Sequence, residues 1–205
     1  MRKLIFCILI SLPIPLKAQI LDFSLSIGTG KTYIIEDWYN NVNVNYGLPL
    51  SLMTELKYSS LNSNWGIKLR LHNLQSTCIG ENWVDGNQLD GYVSSLTTSL
   101  LLEKVTYKNT FSFGFNFGIG WTRETIQPLQ SIPSEKDISN YPTLIIGEHL
   151  TWKLNDNFDL QLLPALLLQD PFKSIGYLTV KRNANFAGED LSFSFNIGIR
   201  YHLVK

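Results

Sequence analysis

The residues of this 205-residue chain best suited to nucleophilic or metal chemistry are three histidines, His72, His149 and His202, and two cysteines, Cys7 and Cys78. They stand apart from one another, so no metal-ligand spacing appears and no metal or other cofactor is expected. IGTGKT (27–32) ends like a phosphate loop, but the first glycine of G-x-x-x-x-G-K-[ST] should stand where Leu25 is. No helical pattern follows, and Gly30-Lys31-Thr32 reads as small and polar residues at a strand end. For hydroxyl–imidazole chemistry the candidate is His72, with Ser76, Ser94 and Ser95 expected near its height. The competing reading is a structural histidine. His149-x-Thr151 lies further from the end at which His72 is expected.

Charge gives a second lead. Glu55, Lys57, Lys68, Arg70, Glu103, Asp159, Arg200 and His202 come from five segments, each on the polar side of an alternating pattern. Mixed charges directed into one narrow space should pair, because an unpaired buried charge is very costly. Glu148 breaks the rule, sharing its side with Leu144, Ile146, Leu150 and Trp152. A β-bulge near Gly147 is expected to turn it away; a contact between copies is the other reading.

The elements that must position these groups repeat one pattern. In FSFGFNFGIGW (111–121) every second residue from Phe111 to Trp121 is large and apolar, with only Ser, Gly and Asn between. Alternate residues of a strand face opposite sides. The same two-residue period recurs in 21–30, 48–58, 65–72, 92–104, 144–154, 158–169 and 191–203. Short connections (SSLNSN, VTYKN, NDN) alternate with long ones (31–47, 73–91, 122–143 and 170–190). Eight such segments, with short turns at one end and long loops at the other, predict a closed antiparallel up-and-down transmembrane β-barrel. Ten strands stay open if 31–47 or the region from Gly176 to Arg182 adds more. Tyr58, Trp65, Tyr107, Trp152, Phe158 and Tyr201 have outward parity near the short-turn end, with Tyr92 and Trp121 toward the other, as membrane interfaces require. A soluble sandwich has no reason to set aromatics at matching heights.

The N-terminus, MRKLIFCILISLPIPLKAQ, has the basic start, apolar stretch and small-residue site of a secretory signal peptide cut after Ala18. This assigns 1–18 to the signal and 19–205 to the barrel. Removing Arg2, Lys3 and Lys17 leaves 14 basic against 17 acidic residues, with no basic stripe for nucleic acid. Cys7 leaves with the signal, so Cys78 has no intramolecular partner.

The last segment, FNIGIRYHLVK, carries a resemblance. Phe195, Ile197, Ile199, Tyr201 and Leu203 alternate toward an aromatic near the chain end. This resembles the C-terminal strand of Gram-negative outer-membrane barrels, and the chain is similar in plan to the small OmpX and opacity-protein group. The group commonly ends on Phe, whereas this chain ends Leu203-Val204-Lys205. The resemblance implies an outer-membrane location, outer-membrane lipid around the barrel, and recognition of the last strand by the barrel-assembly machinery. It selects no activity, since such barrels serve adhesion, interaction, envelope structure and lipid modification.

An eight-stranded barrel has an interior just wide enough for side chains to fill. The expectation is a non-enzymatic protein with a plugged interior, whose loops support the envelope or contact an external macromolecule or glycan. Trp38, Tyr39 and Trp83 are the loop candidates. The alternatives are an outer-leaflet lipid-modifying enzyme and a small-solute channel.

Overall fold

A strand that alternates Phe with Ser, Gly and Asn has one bulky face and one nearly bare face, and only a curved sheet uses both. A computed structural model describes residues 19–34, 42–60, 63–82, 90–129, 137–171 and 190–204, and the signal-like 1–18 lies outside them. The strands are β1 (Gln19–Ile34), β2 (Val42–Tyr46), β3 (Leu50–Ser60), β4 (Trp65–Asn82), β5 (Gly91–Lys108), β6 (Phe111–Pro128), β7 (Asp137–Lys153), β8 (Phe158–Gln169) and β9 (Asp190–Val204). All neighbours pair antiparallel, and β1 joins β9 while β4 joins β5, so the sheet closes on itself.

Nine strands make eight staves. β2 and β3 pair with the same edge of β4, through Tyr46↔Cys78 and Leu50↔Gln75. Gly47, Leu48 and Pro49 thus stand opposite only Ser76 and Thr77, which is a bulge within one barrel strand. Segment 31–47 therefore contributes β2 without adding a stave, and the barrel is eight-stranded. Gly176 to Arg182 lies outside the described residues.

The expected alternation holds around the wall. Phe113, Phe115, Phe117, Ile119 and Trp121 are exposed on the outside, while Ser112 and Asn116 are buried inside. At the short-turn end Phe111 stacks near Trp152, with ring centroids 5.5 Å apart, and Phe158 near Tyr201 at 5.0 Å. Trp65 is exposed on the same rim, with Lys104 Nζ 5.5 Å over its ring, whereas Tyr107, expected outside, shares the parity of Glu103 and Val105, pairs with the inward Ser112 and turns into the barrel mouth. Between the rims the outer surface is apolar apart from Glu148 and single threonines, and includes a groove of about 710 Å³ lined by Leu100, Phe117, Ile119 and Leu144. Such a face suits acyl chains, and closure pairs the backbone groups that no water could reach there.

At the other end the wall outruns the belt. β4, β5 and β6 have 18 residues each and β7 has 17, against ~9–11 for one crossing. Beyond Leu71 the outward positions of β4 are Asn73, Gln75 and Thr77, followed by an exposed Ile79; beyond Trp121 those of β6 are Arg123, Thr125 and Gln127. Tyr92, paired with Thr77 and Gln127, lies six positions past Thr98, the partner of Trp121. It stands above the rim rather than on it.

Candidate functional site

Inward parity brings the charged residues together in two groups. The first centres on two carboxylates. Glu103 of β5 meets Lys57 Nζ of β3 at 2.7 Å and Lys68 Nζ of β4 at 2.6 Å. Arg70 of β4 donates from Nη2 at 2.7 Å and from Nε at 2.8 Å to a single oxygen of Glu55 on β3, Oε1. Lys68 Nζ, 3.3 Å from Glu55 Oε2, bridges the two halves, and Ser24 Oγ donates to the same oxygen at 3.3 Å. All five charged groups are buried. The spacing follows from the strands: i and i+2 share a face, so Glu55 with Lys57, and Lys68 with Arg70, face each other across the β3–β4 ladder.

His149 is a sixth member, although in sequence it stands isolated. Its Nδ1 is 2.9 Å from Glu103 Oε1. To reach β5 from β7 the ring must cross β6, and its rung partner there is Gly114. A Cβ on Gly114 would overlap the imidazole. The bare face of 111–121 is thus cut to fit a neighbour's ring. Gly114→Ala is expected to destabilise the barrel by ~1–3 kcal/mol, the cost of overpacking a filled site. Urea unfolding in lipid vesicles measures it, and combining it with His149→Ala should cost less than the sum of the two single changes.

The expectation for Glu148 is corrected. The β6–β7 register runs unshifted from Phe111↔Trp152 to Ile126↔Asp137, so Gly147 carries no bulge. Glu148 stays outside beside Phe115. A bulge there would also flip His149 outward, away from Glu103. Pairing with β8 is continuous to Gly147↔Ala165 and resumes at Leu150↔Leu162. Pro164 falls opposite Glu148, where it has no N–H to give.

The second group lies toward the short-turn end. His202 of β9 is held on both ring nitrogens, Nδ1 at 2.7 Å from Asp22 Oδ1 and Nε2 at 3.2 Å from Asp159 Oδ2. Arg200 Nη1 is 3.9 Å from Asp159, a loose contact. Its closer neighbour is Gln161: with that amide turned so that its oxygen faces the guanidinium, as the donors there require, it accepts from Nε at 2.9 Å and also from Nη2. Asp22 and Gln161 are the members that sequence reasoning does not single out, although Asp22 already has inward parity.

His72 does meet a hydroxyl, but not an expected one. Its Nε2 is 2.8 Å from Ser51 Oγ, while Ser76 Oγ donates to the Gly47 and Thr77 carbonyls. Both Ser51 and His72 are buried, and His72 Nδ1 has no hydrogen-bond partner among the described residues. A nucleophile–base pair needs a third group to orient the base and a path for substrate. This pair faces the closed interior instead. Further out, Thr97, Thr122 and Thr143 link hydroxyls at 2.7 and 2.5 Å. Trp38, Tyr39 and Trp83 lie outside the described residues.

No protein-family profile and no curated protein matches the sequence. Solved structures do match in fold. Neisserial surface protein A is 9% identical with a TM-score of 0.58, covering 88% of this chain and 96% of its own. The outer membrane protein OprG from Pseudomonas aeruginosa is 12% identical, TM-score 0.57, covering 91% and 96%. A major outer membrane protein from Thermus thermophilus is 13% identical, TM-score 0.60, covering 89% and 99%. The chain has the fold of these small outer-membrane β-barrels.

Proposed function

We propose that this protein is a non-enzymatic outer-membrane barrel whose filled interior holds it rigid while its outer end supports the envelope or contacts an external macromolecule or glycan. The observation that carries this reading is the continuation of β4, β5, β6 and β7 beyond the apolar belt, with Asn73, Gln75 and Thr77 of β4 and Arg123, Thr125 and Gln127 of β6 outward. A strand costs backbone entropy to order, and the membrane crossing does not require that length. Rigid elements raised above a membrane position loops for recognition.

The interior argues against a channel: Lys68, Arg70, Glu103 and His149 are each 1% exposed or less. The protein in planar bilayers should therefore give no steady ion conductance, and a stable open level would reverse this reading. The outer-face role is tested by shortening the β4–β5 connection at residues 78–91 to a tight turn. The barrel should still shift on an unboiled gel, while the full chain's binding to a glycan array or to intact cells should disappear. Outer-membrane placement is supported by the apolar exterior and by the location named for the matching structures. The export signal and the hand-over of β9 to the assembly machinery belong to the same proposal, and deleting residues 1–18 should leave the protein in the cytoplasm.

A further inference from the structure

A charged residue stands within the lipid-facing wall. Glu148 is exposed on β7, in the stretch between Trp152 at the short-turn rim and Pro142. With strands tilted by ~40° it lies roughly 10 Å inside the level of Trp152. No partner for its carboxylate stands among the described residues. Beside it the β7–β8 pairing lapses between Gly147 and Leu150. An ionisable group in a membrane wall is costly and marks a place where it meets a partner. A lipid amine is held at headgroup level, short of this depth. The partner has to be another membrane-embedded surface that carries a cation.

The chain itself carries one. On the rung through Phe115 of β6, Lys104 of β5 stands on one side and Glu148 of β7 on the other, both outward. Phe115 separates them, and Lys104 Nζ is laid the opposite way, over Trp65. The two charges therefore do not pair within one chain. The rung is also inclined. Followed from Phe111 through β7, β8, β9, β1, β3, β4 and β5, it returns to β6 at Trp121. Each step climbs roughly 3 Å, so Glu148 stands about 6 Å deeper than Lys104. The flexible four-carbon arm of a lysine spans about that distance.

We propose that two copies of this barrel associate side by side in the membrane through this wall, with Lys104 of each copy paired to Glu148 of the other across a Phe115–Phe115 contact. A two-fold axis parallel to the barrels and passing in front of Phe115 sets the β5 side of one copy against the β7 side of the other. Both ion pairs then form together, so the surface is complementary in charge to itself. The apolar groove that Phe115 shares with Leu102, Phe117, Leu144 and Ile146 adjoins the rung. It offers the second copy a concave surface, which matters in lipid because packing and polar contacts, not water exclusion, drive association there. The inference does not depend on the reading of the outer end.

The test uses chains labelled at the C-terminus with donor or acceptor dye, reconstituted in phosphatidylcholine vesicles and diluted with lipid. Energy transfer reports association, and the unboiled gel shift reports that each variant has closed its barrel. Wild-type chains should transfer energy above the level of random mixing. Glu148→Gln and Lys104→Gln should each weaken association about tenfold, since either change removes both pairs. Neither adds charge to the wall, so both should keep the gel shift. Lys104→Glu and Glu148→Lys should each fail to self-associate. A mixture of these two variants should associate as wild type does, because positions 104 and 148 then carry opposite charges across the interface. A pairing within one chain gives no such rescue. Random-level transfer from folded wild-type chains, association unchanged by Glu148→Gln, or folded charge-reversed variants that stay apart when mixed would each overturn the proposal.

Discussion

Glu103→Gln is expected to lower the stability of the barrel by ~3–5 kcal/mol, because removing one partner of a buried ion pair leaves the others unpaired. Lys57 and Lys68 both end on this carboxylate, at 2.7 and 2.6 Å, and His149 stands 2.9 Å away. The amide keeps the shape of the side chain but not its charge. Lys68 retains only the longer 3.3 Å contact to Glu55, and Lys57 is left with no ion-pair partner among the described residues. Urea unfolding in vesicles, read with the unboiled gel shift, measures the loss. The companion is a triple change, Glu103→Leu with Lys57→Met and Lys68→Met, which should recover much of it because well-packed apolar groups often replace buried ions at little cost. Wild-type stability for Glu103→Gln alone would mean that water hydrates these lysines, and the filled interior would have to be abandoned.

Phe117→Arg should cost ~2–4 kcal/mol, the penalty of a basic residue near the midplane of a lipid-facing wall. Phe117 is 44% exposed, and its rung partners are Leu102 and Ile146, both apolar and outward. The chain supplies its own control. Arg123 occupies the same face of β6 just past Trp121, where the outward positions turn polar. Thr125→Arg, two residues beyond Arg123, should be close to neutral. The contrast between positions 117 and 125 locates the edge of the hydrocarbon. If both changes cost the same in vesicles, the apolar face is not in lipid. An alternation that served only the core of a soluble sheet would instead make the Phe117→Arg protein insoluble in plain buffer.

Much of the architecture was readable because lipid imposes a demand on every outward residue. Where that demand holds, as in Phe113 to Trp121 or Phe195 to Tyr201, alternation marks the strand and its faces. Where it stops, the signal stops as well. Residues 73–82, 122–128 and 137–143 read as loops from sequence, yet they continue β4, β6 and β7. Their outward faces meet water, so Asn73, Gln75, Arg123 and Thr125 are as acceptable as any apolar residue, and period two fades while the ladder continues. β2 was hidden for a related reason, since Gly47, Leu48 and Pro49 shift its parity against β3.

By itself the sequence determined the all-β class, the direction in which most side chains point, and therefore which charges enter the interior. Those are consequences of a local period, and a local period is written along the chain. Only the tertiary structure decided which of these charges meet. Glu103 and His149 lie on β5 and β7, and their contact depends on the register of both strands against β6 and on the bare backbone at Gly114. Likewise Asp22 and His202, near opposite ends of the chain, are rung partners only because β1 closes on β9. Register and closure are settled by all the strands together, so no single stretch of sequence carries them.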